Sequence, residues 1–237
     1  MCIRDRATSG DTGGAVASGF LGIEGTEVII LYPKGKVSHI QELQLTTNSN
    51  NIKAVEVDGV FDDCQEMVKS AFIDADLKGK LNLTSANSIN VARWLPQSLY
   101  FFIAYQQFQR MGIDKKLAFS VPSGNFGNIC AGIVAKRLGL PVSHFVASTN
   151  SNDTVPRYLQ TQDYQPKPSK QTISNAMDVG NPSNFIRIQS LYGNDFDALK
   201  QDFSSYAYND VETTLALAEL HQKHNYIADP HGAVGYL

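Results

Sequence analysis

Short runs of β-branched and apolar residues alternate along the chain with longer stretches in which apolar residues recur every three or four positions. The first pattern is typical of buried strands and the second of amphipathic helices. The predicted strands cover residues 28–32, 52–57, 117–121 and 143–147, and the predicted helices cover residues 37–45, 61–72, 89–111 and 128–138. Because strands alternate with helices, we expect the α/β class, with a parallel sheet covered by helices.

Both ends of the chain depart from this pattern. Residues 1–6 carry three charges in six positions, so they predict a poor strand where a buried strand should precede the loop that begins at Ala7. Residues 232–237 have the pattern of a helix that stops in its first turns. We therefore expect residues 1–6 to be non-native and the sequence to be truncated at both ends.

Composition narrows the classes of ligand. The 237 residues carry a net charge of −3, without a cluster of Lys and Arg, which disfavours nucleic acid and favours a small-molecule ligand. The three cysteines lack C-x-x-C or histidine spacing, so we expect no metal site, no disulfide framework and a cytoplasmic location. No apolar stretch reaches the length of a membrane span, and we expect no membrane partner.

The strongest local motif lies between the strand at 117–121 and the helix at 128–138. It has the sequence Ser123, Gly124, Asn125, Phe126, Gly127, Asn128. Glycines at such a junction allow a tight turn, so the free N–H groups of the first helical turn can converge on a phosphate. The alternative is a glycine-rich turn without a ligand. Neither G-x-G-x-x-G nor G-K-[ST] is present.

Two further helix starts carry groups that suit anions. In residues 8–14, hydroxyls and N–H groups precede small residues, and Asp11 can accept a hydrogen bond; the alternative is simple N-capping by Ser9 or Asp11. In residues 85–93, Asn87, Asn90 and Arg93 recur every three positions, so they lie on one helix face. The alternative there is a capped helix with an exposed arginine.

These motifs together resemble those of one enzyme family. Residues 7–13 (ATSGDTG), 85–90 (SANSIN) and 122–128 (PSGNFGN), with 150–157 and 174–185, are similar to threonine synthases in order and rough spacing. Those enzymes use pyridoxal 5'-phosphate (PLP) and have the tryptophan-synthase-β fold type. The resemblance implies a two-domain fold-type-II architecture, truncated here, with residues 7–90 forming most of the small α/β domain and residues 91–237 part of the large, PLP-binding domain.

The resemblance also assigns roles to individual residues. The implied cofactor-binding residues are Ser123, Gly124, Asn125, Phe126, Gly127 and Asn128, which surround the PLP phosphate, and Asp11 near the ring hydroxyl. The implied substrate-binding residues are Ser9, Gly10 and Thr12, in the loop that holds the α-carboxylate, and Asn87 and Arg93, which with Thr12 hold the substrate phosphate. The family's Schiff-base lysine belongs to a segment before Ala7, so the catalytic residue stays unassigned.

The implied reaction is conversion of O-phospho-L-homoserine and water to L-threonine and phosphate, the last step of threonine biosynthesis. Without the lysine, we expect this chain alone to be inactive. A serine or threonine dehydratase of the same fold type is one alternative. Binding of a substrate phosphate by Asn87 and Arg93 would argue against it. A non-catalytic protein that binds a phosphorylated ligand is the other.

Overall fold

The computed structural model describes residues 2–7, 11–86 and 90–237. The chain forms two compact units, Met1–Asn90 and Val91–Leu237, called here the N-terminal and C-terminal units. Within the described ranges, no helix has the length and apolar character needed to cross a membrane. The assignment of the two units to the small and large domains of the family stays a prediction.

The N-terminal unit is a parallel sheet with helices between its strands. The described strands pair in the order β3-β2-β1-β4. The strands are β1 (Cys2–Ala7), β2 (Thr26–Pro33), β3 (Ile52–Val57) and β4 (Asn82–Ser85), and the helices are α1 (Asp11–Phe20), α2 (His39–Thr46), α3 (Phe61–Ile73) and α4 (Ala75–Lys80). The β-branched residues of β2 explain its place in the core, because Val28 and Ile30 are fully buried with Ala17 and Leu45.

The prediction that residues 1–6 would make a poor strand is wrong. Cys2–Ala7 forms β1, which pairs in parallel with β2 on one side and with β4 on the other. Strand pairing uses backbone N–H and C=O groups, which charged residues supply as well as apolar ones. The local charge pattern therefore did not decide the structure of this segment, and the loop after Ala7 does follow a strand.

The C-terminal unit contains a second parallel sheet, in which the described strands pair in the order β5-β6-β7. The strands are β5 (Leu117–Pro122), β6 (Val142–Thr149) and β7 (Phe203–Ala207). The helices are α5 (Trp94–Arg110), α6 (Gly127–Arg137), α7 (Thr154–Thr161), α8 (Phe185–Leu191), α9 (Phe196–Asp202), α10 (Asp210–His224) and α11 (Pro230–Tyr236), with 3-10 turns at Val91–Arg93 and Asn175–Met177.

Helix α6 lies in the centre of this unit, and its residues from Ile129 to Ile133 are buried. Gly132 allows the aromatic rings of neighbouring elements to approach its backbone, because a Cβ there would lie 2.6 Å from Phe101 Cζ. Phe101 in turn packs edge-on against Phe145 of β6, with ring centroids 6.0 Å apart. This aromatic cluster fixes α6 against the sheet and so positions the loop that precedes α6.

The α/β class with parallel sheets is confirmed, and the predicted strands and helices differ from the observed ones mainly at their ends. The largest shift concerns the helix predicted for residues 89–111: a 3-10 turn at Val91–Arg93 precedes α5, which begins at Trp94. Phe101 and Trp94 are buried, whereas Leu99 and Tyr100 on the same helix are exposed. The aromatic residues of this helix are therefore only partly core residues within the chain.

Candidate functional site

The loop between β5 and α6, residues 123–128, is called here the 123–128 loop. Ser123 is buried at its start, where its N–H donates to Ser148 O at 2.8 Å and its Oγ donates to Val121 O at 2.9 Å. Phe126 adopts a left-handed backbone conformation with φ 61°. Its buried ring packs edge-on against Phe185, which anchors the turn that brings the first N–H groups of α6 into the loop.

Two asparagine side chains of the loop bind other protein groups. Asn128 Nδ2 donates to Pro122 O at 2.8 Å, and this bond closes the loop across its base. Asn125 Oδ1 accepts from Ser183 N at 2.7 Å and from Ser183 Oγ at 2.9 Å. Asn184 Nδ2 donates to Asn125 O at 3.0 Å. These side chains therefore shape the loop, which leaves its backbone N–H groups as the groups able to bind an anion.

Gly124 is the position where the loop comes closest to the turn at Asn175–Met177. A Cβ at Gly124 would lie 2.7 Å from Met177 Cα and 3.3 Å from Ala176 O. Both of these are backbone atoms, which cannot move aside as a flexible side chain does. Glycine is therefore required here for close approach of two backbone segments.

The donors in the loop suit a phosphate. Among the residues that the structure describes, no acceptor hydrogen-bonds to the N–H groups of Gly124, Phe126 and Gly127. Helix α6 follows with 11 residues, and its first turn contains no acidic residue. The N-terminal end of a helix dipole and several free N–H groups favour a dianion. The residues present therefore fit the phosphate of PLP.

A partly buried polar network joins residues on both sides of the Asn175–Met177 turn. Asn150 Nδ2 donates to Asp178 Oδ1 at 2.8 Å, and Asn152 Nδ2 donates to Asn150 Oδ1 at 2.8 Å. Thr172 adds two bonds to the Asp178 carboxylate, from its N–H at 3.0 Å and from its Oγ1 at 2.7 Å. Burial raises the pKa of Asp178 above its ordinary value, against the opposing effect of these hydrogen bonds. The network fixes the turn against which Gly124 packs.

Helix α11 supports the same region from another direction. His231 Nε2 accepts from Ala176 N at 3.2 Å, and His231 Nδ1 lies 3.0 Å from Asp229 Oδ1. With Nε2 as acceptor, Nδ1–H is the donor to Asp229. A Cβ at Gly235 would lie 2.9 Å from Pro122 Cδ, so this helix also packs against the start of the 123–128 loop.

The other predicted site residues belong to different parts of the chain. Ser9, Gly10 and Asn87 lie outside the described residues. Asp11 is the first residue of α1, and Thr12 follows it, half-buried, in the first turn.

Arg93 is the half-buried last residue of the 3-10 turn before α5, in the C-terminal unit. Its backbone O accepts from Gln97 Nε2 at 3.0 Å. Burial lowers the pKa of its guanidinium below the ordinary value of an arginine. An arginine keeps its charge at neutral pH despite such a shift, so Arg93 can still bind an anion.

Several residues that shape the site were not assigned a role from the sequence. Ser183, Asn184 and Met177 contact the 123–128 loop, and His231 contacts the turn beside it. Residues 174–185 did contribute to the family resemblance, but only as a matching motif. Their contacts with the loop depend on the fold, so local spacing contained no signal for them.

Cys130 in the first turns of α6 is fully buried, and burial raises the pKa of its thiol to about 12. We expect this thiol to stay unmodified when the native chain is treated with iodoacetamide at neutral pH, because almost no thiolate is present. Peptide mass spectrometry measures the modification, and the chain unfolded in urea should be modified fully at the same residue. Rapid alkylation of native Cys130 would contradict this expectation.

Solved structures and curated relatives are similar to this chain along nearly its whole length. A threonine synthase from Haemophilus influenzae is 48% identical over 231 residues, which is 97% of this chain and 53% of that protein. The crystal structure of threonine synthase from Escherichia coli superposes with a TM-score of 0.87 at 45% identity, covering 99% of this chain and 54% of that one. The crystal structure of PLP-bound threonine synthase from Brucella melitensis superposes with a TM-score of 0.88 at 36% identity. The match covers 99% of this chain and 56% of that one.

This chain therefore spans about half the length of the curated relatives that it matches. The model of the family described as "Pyridoxal-phosphate dependent enzyme" matches residues 6–237, which include the 123–128 loop, the sheet of the C-terminal unit and, except for most of β1, the sheet of the N-terminal unit. The chain belongs to the pyridoxal-phosphate dependent enzyme family.

Proposed function

We propose that the protein functions as a threonine synthase, which converts O-phospho-L-homoserine and water to L-threonine and phosphate. The observation that carries this proposal is the 123–128 loop, with its free N–H groups at the start of α6, in a chain 48% identical to a threonine synthase. A cytoplasmic location belongs to the same proposal.

The described residues supply the first of two phosphate-binding functions. The N–H groups of Gly124, Phe126 and Gly127 would hold the PLP phosphate, and Asn125 and Asn128 keep the loop in shape for it. PLP, when bound to the substrate amine, supplies an electron sink that allows protons to leave carbon. The loop's task is to hold that cofactor in one place and orientation.

The second function is recognition of the substrate. We propose that Arg93, with Asn87 and Thr12, holds the phosphate of O-phospho-L-homoserine and stabilises the negative charge that grows as phosphate leaves. Ser9 and Gly10 would hold the α-carboxylate, and Asp11 would accept a hydrogen bond near the cofactor ring. A half-buried guanidinium suits this task because its charge is poorly screened by water.

A chimera tests the function. Residues 7–237 replace the matching segment of Escherichia coli threonine synthase, and the chimera is introduced into a strain that lacks threonine synthase. We expect growth without added threonine, and phosphate release from O-phospho-L-homoserine by the purified chimera. As a control, the same segment carrying Arg93→Ala should not restore growth.

Two outcomes would contradict the proposal. A folded, PLP-loaded chimera that deaminates serine or threonine but releases no phosphate would identify a dehydratase. A folded chimera that binds PLP and converts none of these amino acids would favour the alternative of a non-catalytic protein that binds a phosphorylated ligand. Absorbance of bound PLP separates both outcomes from a chimera that fails to assemble.

A further inference from the structure

Arg187 of α8 lies between the 123–128 loop and the start of α5. Its guanidinium carbon is 5.1 Å from the centroid of the Trp94 ring, which is the geometry of a cation–π contact. Trp94 directly follows Arg93 and begins α5. The buried Trp94 ring therefore anchors the first turn of α5 in the core, directly next to Arg93 in the chain.

The same guanidinium contacts the residue that holds the 123–128 loop. Arg187 Nη1 donates to Asn184 Oδ1 at 3.1 Å, and Asn184 Nδ2 donates to Asn125 O at 3.0 Å. Asn184 is fully buried, so its amide is oriented by these neighbours. A charged donor on the oxygen of an amide polarises that amide and strengthens the bond that its nitrogen donates.

Trp94 is held mainly by packing. The residue is buried, and its Nε1–H has no acceptor among the residues that the structure describes. The indole therefore depends on apolar neighbours and on Arg187 for its position. A displacement of Arg187 would therefore also move the Trp94 ring, because no described hydrogen bond from Nε1 fixes that ring.

The charge of Arg187 also reaches the anion-binding end of α6. It favours the thiolate of Cys130 and so lowers the pKa of that thiol, although burial outweighs this effect. Cys130 lies three residues after Gly127, in the first turn of α6. The guanidinium therefore adds positive potential at the end of the helix that faces the loop.

We propose that Arg187 is a positioning residue that couples the 123–128 loop to Arg93, so that binding of phosphate at the loop changes the surroundings of Trp94. This proposal rests on the proposed role of the loop as the site of the cofactor phosphate. Arg187 acts through Asn184 on one side and through the Trp94 ring on the other. The 123–128 loop and Arg93, both in the C-terminal unit, are then linked by one side chain.

Trp94 is the only tryptophan in the chain, so its fluorescence reports this coupling directly. The full chain is titrated with inorganic phosphate, and both the Trp94 emission and the heat of binding are measured. We expect Arg187→Gln to weaken phosphate binding about tenfold and to abolish the emission change, because charge and stacking are both lost. Arg187→Lys, which keeps the charge but not the planar group, should bind within about threefold of the unmodified chain and show a smaller emission change.

Arg137 provides a matched control. Its guanidinium carbon lies 5.0 Å from the centroid of the Tyr192 ring, and its Nη2 donates to Leu191 O at 2.9 Å. Arg137→Gln removes an arginine–aromatic contact of the same kind at the other end of α6. We expect this variant to bind phosphate and to change its emission as the unmodified chain does.

The outcomes separate this proposal from the function on which it rests. If the unmodified chain gives no heat with phosphate, the loop is not a phosphate site and the proposed function loses its basis. If the unmodified chain binds and Arg187→Gln shows the same affinity and emission change, the coupling is wrong while the phosphate site stands. Circular dichroism checks folding; should Arg187→Gln not fold, an emission change in Arg187→Lys equal to that of the unmodified chain overturns the coupling.

Discussion

Replacing Gly124 with alanine is expected to abolish PLP binding by the chain and to lower its free energy of unfolding by about 2 kcal/mol. The new Cβ would lie 2.7 Å from Met177 Cα and 3.3 Å from Ala176 O, which are backbone atoms of the Asn175–Met177 turn. That turn is held by the Asn150–Asp178 network and by His231, so moving it would break these hydrogen bonds. The loop must therefore move, and its N–H groups lose the arrangement that fits a phosphate.

Calorimetry with PLP and with pyridoxal, which lacks the phosphate, measures this effect, and urea unfolding gives the stability. Gly79→Ala in α4 is the matched control, because a Cβ there meets nothing within 4 Å. Alanine in place of glycine in an open helical position raises the free energy of unfolding by about 0.5–1 kcal/mol. This variant should therefore bind PLP normally and unfold at a higher urea concentration than the unmodified chain. Normal PLP binding by Gly124→Ala would show that the loop does not carry the phosphate.

Replacing Arg93 with alanine in the chimera is expected to lower kcat/KM for O-phospho-L-homoserine about 100-fold. The half-buried guanidinium is the charged group proposed to bind the substrate phosphate as its negative charge grows. Arg93→Lys keeps a charge but loses the planar pair of donors, so an intermediate loss is expected. PLP binding should change little in either variant, because the groups proposed to hold the cofactor phosphate are backbone N–H groups of the 123–128 loop.

Arg110→Ala is the control for this experiment, since Arg110 is exposed in the last turn of α5, the helix that follows Arg93. Initial rates of phosphate release give kcat and KM separately, and the inhibition constant of inorganic phosphate gives a second measure of the anion site. An Arg93→Ala chimera with full activity and an unchanged inhibition constant would remove Arg93 from the substrate site. The family assignment of the chain would be unaffected.

Strands with a strong apolar run could be predicted closely from the sequence. Ile52–Val57 was predicted with both ends correct, because its own run of apolar and β-branched residues is typical of a strand. Cys2–Ala7 was missed because its place in the sheet depends on backbone pairing with β2 and β4. Such pairing is set by the fold around the segment, so its own charged residues gave no indication of it.

Some features of the candidate site could likewise be predicted from local sequence, whereas others depend on residues far away in the chain. The prediction that the 123–128 loop binds a phosphate rests on local features, namely glycines at a junction between a strand and a helix. The task of Asn125 could not be predicted, because its partner Ser183 lies 58 residues further along the chain. The contact between Arg187 and Trp94 is also nonlocal, and nothing in the spacing of either residue indicates it.

The contacts of α11 bear on when the site forms during synthesis. His231 meets a partner 55 residues earlier, at Ala176, and Ser120 donates to Gly235 O across 115 residues. Contacts between such distant segments form only after the intervening chain is made, and bacterial and eukaryotic ribosomes add about 5–20 residues per second. The 123–128 loop therefore receives its last stabilising contacts only after residue 235 has been synthesised and has left the ribosome. We expect the cofactor to bind after this region has been translated, so that it does not direct the folding of the region during translation.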